Sequence, residues 1–160
     1  MEDEIKGLES LQVWQRSLVF AVKICKEVIP LLPKDERWVM GLQLRRSAQS
    51  IPANIAEGYG RFYYQEGVRF CYIARGSLEE TLSHLTLALE LGYLQKEDYS
   101  VFADEIKELR RMLSGYIAYL KRTKRGENEP GSTHSVREDN FIYSPDLDTE
   151  LPDTTDHISN

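Results

Sequence analysis

Four stretches of this chain repeat apolar residues at alternating spacings of three and four, and nothing else in the sequence restricts the fold as much. Leu11, Trp14, Leu18, Ala21, Cys25, Val28 and Leu32 open the series, and Leu44, Ala48, Ile51, Ile55, Gly58 and Phe62 follow. Then come Cys71, Ala74, Leu78, Thr81, Leu85 and Ala88, and lastly Phe102, Ile106, Leu109, Leu113, Tyr116 and Leu120. A helix of 3.6 residues per turn gathers such positions into one stripe, and long stripes bury themselves by packing lengthwise at a shallow angle. No segment alternates with period two, so strands are not expected. The spacing predicts an all-α fold, an antiparallel up-down four-helix bundle with helices over about 10–31, 35–59, 64–91 and 96–122.

Local chemistry sets the expected ends. Ser10 is placed to cap the first helix, and Pro30 with Pro33 stops it. Asp35 and Glu36 suit the positive start of the second helix, which Gly58 and Gly60 can end in the left-handed conformation. Gly92 fits the cap of the third, with Tyr93 or Leu94 folding back over its last turn. Pro52 falls inside the second helix, where it removes one backbone hydrogen bond and crowds the preceding turn, so a kink is expected there.

Charge divides the chain. The whole carries −6, yet residues 1–125 hold 19 Lys and Arg against 17 Asp and Glu, while 126–160 hold Arg137 against nine acids. The acidity therefore belongs to a tail. Residues 126–160 are also rich in Ser, Thr, Asp and Pro, which predicts a disordered acidic segment whose "NFIYSPDL" stretch could dock as a short linear motif. A bundle of 1–125 with a near-neutral balance and clustered arginines keeps nucleic acid among its candidate partners. Cys25 and Cys71 lie on separate helices without metal-ligand spacing and read as free thiols. The acidic start "MEDEIKGLES" lacks the apolar run of a secretory signal and no stretch approaches a membrane span, so a cytoplasmic protein is expected.

"LQVWQRS", "LRRSAQSIPANIAEGYGR", "FCYIARGSLEET" and "LELGYL" occur in that order at bundle spacing. Together they resemble the four-helix-bundle proteins encoded in intervening sequences of bacterial 23S rRNA genes, also called ribosomal protein S23-like, over about residues 8–122. The resemblance implies a bacterial homopentamer of unestablished molecular role, and similar bundles act beside nucleic acid and a reverse transcriptase in diversity-generating retroelements. Where the family has Ser ahead of Glu to cap helix three, this chain has Tyr63 and Glu66, and the acidic tail lies outside the resemblance.

Three groups of residues are candidate sites. Asn54, Glu57 and Arg61 share one helix face, and antiparallel pairing brings Arg75 near Asn54 or Glu57, a polar cluster suited to fixing register. Arg45, Arg46, Arg61, Arg110, Arg111, Lys121, Arg122, Lys124 and Arg125 are candidate contacts to phosphate or to a partner, although cations at the end of helix four also suit its dipole. Apolar residues beyond the stripes, namely Phe70, Ile73, Leu87 and Leu91 on helix three and Val101, Met112 and Ile117 on helix four, point to self-association. Catalysis finds little support: His84 follows Glu80 without the repeated Glu-x-x-His of di-iron bundles, "GYGR" lacks phosphate-loop spacing, and no cofactor is implied. Trp14 and Trp38 read as core or interface. The expected function is a non-enzymatic homo-oligomer binding structured RNA or DNA, the alternative a scaffold recruiting a protein through the bundle or the tail.

Overall fold

The computed structural model describes residues 7–124 and 126–127. Arg125, the expected disorder of the tail and its "NFIYSPDL" stretch lie outside the described residues. Four long helices, and no strand, occur among the described residues: α1 (Gln12–Lys23), α2 (Met40–Tyr59), α3 (Tyr64–Glu90) and α4 (Lys96–Thr123). They run up and down in sequence order, since Leu11 at the start of α1 lines one cavity with Gly58, Tyr64 and Thr123 from the end of α2, the start of α3 and the end of α4. Beyond Lys23 the first helix widens into a π-helical stretch, Ile24–Val28, then tightens into a 3₁₀ turn, Ile29–Leu31, where Pro30 ends it. α2 continues through Pro52, which is buried in its interior.

The core matches the expected stripes on α2 and α3. Leu44, Ala48, Ile51 and Ile55 are fully enclosed, as are Cys71, Ala74, Leu78, Thr81, Leu85 and Ala88. Phe62 departs, standing half exposed in the turn after α2. On α4, Phe102, Ile106, Leu109 and Leu113 are buried, and Ile117 joins them while Tyr116 and Leu120 sit at the margin. Ile117 and Met112 thus belong to the core and its edge, not to a second face. α1 requires a correction: its buried side is Val13, Ser17, Phe20, Ala21 and Ile24, while Leu18 is exposed. Valines and leucines cover more than one side of this helix, so spacing alone fitted a stripe one residue out of phase. Phe20 meets Phe102 edge-on at 6.3 Å, and Lys23 pairs with Glu105 from α4.

Three expected ends are corrected. Ser10 lies in a 3₁₀ turn and its hydroxyl donates to the Gly7 carbonyl at 2.8 Å, so it does not cap α1. Asp35 and Glu36 precede α2 by a full turn: residues 34–39 form turns in which the Glu36 carbonyl accepts from the Gly41 N–H at 2.9 Å. Gly58 and Gly60 do not adopt the left-handed conformation. A Cβ on Gly58 would stand 2.9 Å from Phe70 Cβ and 3.0 Å from the Gly67 carbonyl, so Gly58 and Gly67 let α2 and α3 touch backbone to backbone. At Gly92 the expectation holds. With φ +75°, it permits Tyr93 N to bond the Ala88 carbonyl at 2.8 Å and Gly92 N the Leu89 carbonyl at 2.9 Å, and Leu94 folds into the core.

Buried hydroxyls set the α2–α3 register. Ser47 Oγ and Thr81 Oγ1 share a hydrogen bond of 2.9 Å, and Ser50 Oγ and Ser77 Oγ one of 2.8 Å. Asn54 adds to this row, donating to Ser50 O at 2.8 Å and Ser50 Oγ at 2.9 Å.

Candidate nucleic-acid interface

The turn "YGRFYY" and the last turns of α4 bring tyrosines together from distant parts of the sequence. Tyr59, Phe62, Tyr63, Tyr64, Tyr116 and Tyr119, with Leu11 and Leu120, line a cavity of about 640 Å³ at this end of the bundle, joined by Arg61. Tyr116 and Tyr119, three apart on α4, stack with centroids 6.2 Å apart and planes 14° from parallel. Phe62 and Tyr63 meet edge-on at 5.2 Å, and Tyr63 begins α3 without a side-chain cap, as its replacement of Ser implied.

Cations sit over rings around this end. Arg61 lies 5.2 Å from the centre of Phe70, Arg75 5.1 Å and Lys121 5.9 Å from that of Tyr72, and Arg122 5.9 Å from that of Tyr119. Such pairs hold the charge over an apolar surface while leaving it accessible, which suits bases that stack and phosphates that accept from guanidinium or ammonium groups. Neither Lys121 nor Arg122 has a carboxylate partner among the described residues, although Arg61 pairs with Glu57 and Lys124 Nζ lies 2.9 Å from Glu127.

The other candidate cations are dispersed. Arg110 forks onto Glu79 of α3 with two bonds of 2.9 Å, and Arg111 onto Glu108 at 2.7 and 3.1 Å. Hydrogen bonding from Arg111, reinforced by the positive charges of Arg111 and Arg16, holds the Glu108 carboxyl below its usual range. These two arginines are already matched by acids. Arg45 and Arg46 are exposed on the first half of α2 and make no ion pair among the described residues, Arg45 lining an α1–α2 groove with Trp14, Leu18, Val22 and Pro52. Within the expected polar cluster, Asn54 bonds Ser50, Glu57 pairs with Arg61, and Arg75 lies over Tyr72.

Sequence reasoning missed the rings. Tyr72 with Arg75 and Tyr119 with Arg122 are i, i+3 pairs, a pattern that could have exposed two of the cation–ring contacts; the meeting of both helices at one end could not be read from spacing. His84 Nε2 stands 3.8 Å from Glu80, and among the described residues no three or more His, Cys, Asp or Glu side chains gather where they could hold a metal ion. No described helix is long and apolar enough to cross a membrane.

Comparison with known proteins agrees with this architecture. No curated protein matches the chain significantly. Among solved structures it is similar to the crystal structure of a protein of unknown function from the S23 ribosomal protein family of Bacteroides thetaiotaomicron VPI-5482. The two share 30% identity with a TM-score of 0.61, over 66% of this chain and 97% of that one. The profile of the 23S rRNA-intervening sequence proteins matches residues 9–115, two thirds of the chain, from the start of α1 into α4, and the protein belongs to that family.

Proposed function

We propose that this protein is a non-enzymatic, cytoplasmic homo-oligomer that binds structured RNA through the aromatic and basic end of the bundle. The observation that carries this reading is the placing of Arg61, Arg75, Lys121 and Arg122 over Phe70, Tyr72 and Tyr119, with Arg61 and Tyr119 also lining a tyrosine-rich cavity. Bases exposed in loops and bulges stack on such rings, and the neighbouring cations neutralise phosphate. Family membership supports an RNA setting without naming a ligand. The resemblance favours a pentamer, which would repeat each contact five times on one assembly and raise affinity without new chemistry.

The test is fluorescence anisotropy of a labelled hairpin RNA against the full chain over a salt series. Binding should weaken linearly on a log–log plot, and Lys121→Glu with Arg122→Glu should lower both the affinity and the slope, by about 1 for each phosphate no longer neutralised. Arg111→Glu should have little effect, because Glu108 already engages that guanidinium. Binding that ignores salt, or that falls equally in the Arg111 variant, rejects this interface. Capture of a protein partner by this end with no RNA affinity would favour the scaffold reading.

A further inference from the structure

A turn follows the end of α4. Lys124 takes φ 48° and Gly126 φ +81°, and the Glu127 N–H bonds the Lys124 carbonyl at 3.1 Å. A Cβ on Gly126 would lie 2.8 Å from Tyr63 and 3.2 Å from Phe62, so the backbone at the start of the tail rests on two rings of the aromatic cavity. The sequence that follows is complementary to this end. It carries Asp146 and Asp148 close after Phe141, Ile142 and Tyr143, whereas the surface nearby holds Lys121 and Arg122 without carboxylate partners among the described residues.

We propose that residues 141–148 of the same chain fold back onto this end of the bundle, with Phe141 and Tyr143 in the aromatic cavity and Asp146 and Asp148 against Lys121 and Arg122. The separation from Glu127 to Phe141 allows a reach of ~45 Å, ample for a cavity that begins beside Gly126. Tethering supplies a local concentration of about 1 mM, so even a segment with an intrinsic dissociation constant of ~0.1 mM occupies the site most of the time. Its consequence rests on the RNA reading: the docked tail occupies Lys121, Arg122 and the cavity beside Tyr119 and acts as a built-in competitor, lowering RNA affinity about tenfold.

Two measurements on the full chain test this separately. Carbodiimide coupling, mapped by mass spectrometry on mixed heavy and light chains, should join Lys121 to Asp146 or Asp148 within one chain, and the product should vanish in a Phe141→Ala, Ile142→Ala, Tyr143→Ala triple variant. No such product, a product only between chains, or one that persists in the variant overturns the docking. Binding of the hairpin RNA should strengthen about tenfold in the triple variant. Coupling with unchanged RNA affinity overturns the competition. Coupling with no RNA binding by either protein upholds the docking and defeats the RNA interface instead.

Discussion

Two glycines in this bundle occupy opposite situations. Gly58 is pressed against Phe70 and Gly67, whereas nothing stands within 4 Å of a Cβ built on Gly76. Gly58→Ala must therefore move backbone, a cost of about 1–3 kcal/mol that exceeds the helix propensity gained. Gly76→Ala meets open space on an exposed helix face and should stabilise the protein by about 0.5–1 kcal/mol, and urea denaturation of both variants reads the contrast directly. Cys71 offers a second prediction. Burial pushes its thiol up from 9.0 to about 12 because the folded site disfavours the thiolate. Below pH 9 this favours neither state; as pH rises from 9 toward 12 the unfolded chain ionises first, and stability falls. The stability difference between wild type and Cys71→Ala should accordingly narrow over that range in thermal melts. Cys71, fully enclosed, should react with a thiol reagent only on unfolding.

At the scale of elements, the α2–α3 pair is registered by hydroxyls. Thr81 Oγ1 lies 2.8 Å from the Ser77 carbonyl as well as 2.9 Å from Ser47 Oγ, and removing the Thr81 hydroxyl leaves Ser47 with the Leu44 carbonyl at 3.3 Å. Ser47→Ala and Thr81→Val should each cost about 1–2 kcal/mol, and the double variant less than their sum by at least ~0.5 kcal/mol. Additive costs in denaturant titrations would show that the two hydroxyls do not act together. The stripes of α2 and α3 were legible, Phe62 apart, because their core positions keep the three-four spacing without interruption. α1 was not, since Leu18, Val19 and Val22 compete with Val13, Phe20 and Ile24 for the same periodic signal and the buried Ser17 looks polar until its hydroxyl is seen bonded to the Trp14 carbonyl at 2.7 Å. The start of α2 was misplaced because Asp35 and Glu36 serve turns as well as helix starts. Of the candidate site, the cations were legible one by one; their rings were not, because Tyr72 and Tyr119 approach the same end only through the antiparallel packing of α3 and α4.

Among the described residues the molecule presents two sets of exposed apolar side chains. One lies on α1 and α2, where Leu18 and Val22 line a groove of about 470 Å³ with Arg45, and Leu42 and Arg45 line a second with Trp38, which is 84% exposed; the other comprises Ile73 and Leu87 on α3 and Leu91 just past its end. Water does not leave so many large apolar side chains uncovered without cost, and a second copy of the chain can cover both sets at once. Contact between unlike surfaces repeats from copy to copy and closes into a ring when the rotation permits, the geometry that a homopentamer needs. Sedimentation at about 10 μM should therefore find an assembly near five times 18.5 kDa, and Leu18→Asp with Val22→Asp should convert it to a helical monomer. Neither substitution touches Lys121 or Arg122, so a fall in RNA affinity on dissociation would come from the absence of multivalency alone, by a factor of 10² or more on the order of a linked-site effect. A wild-type monomer at that concentration would remove the assembly, and with it the avidity; an intact ring in the double variant would instead move the interface away from the α1–α2 groove.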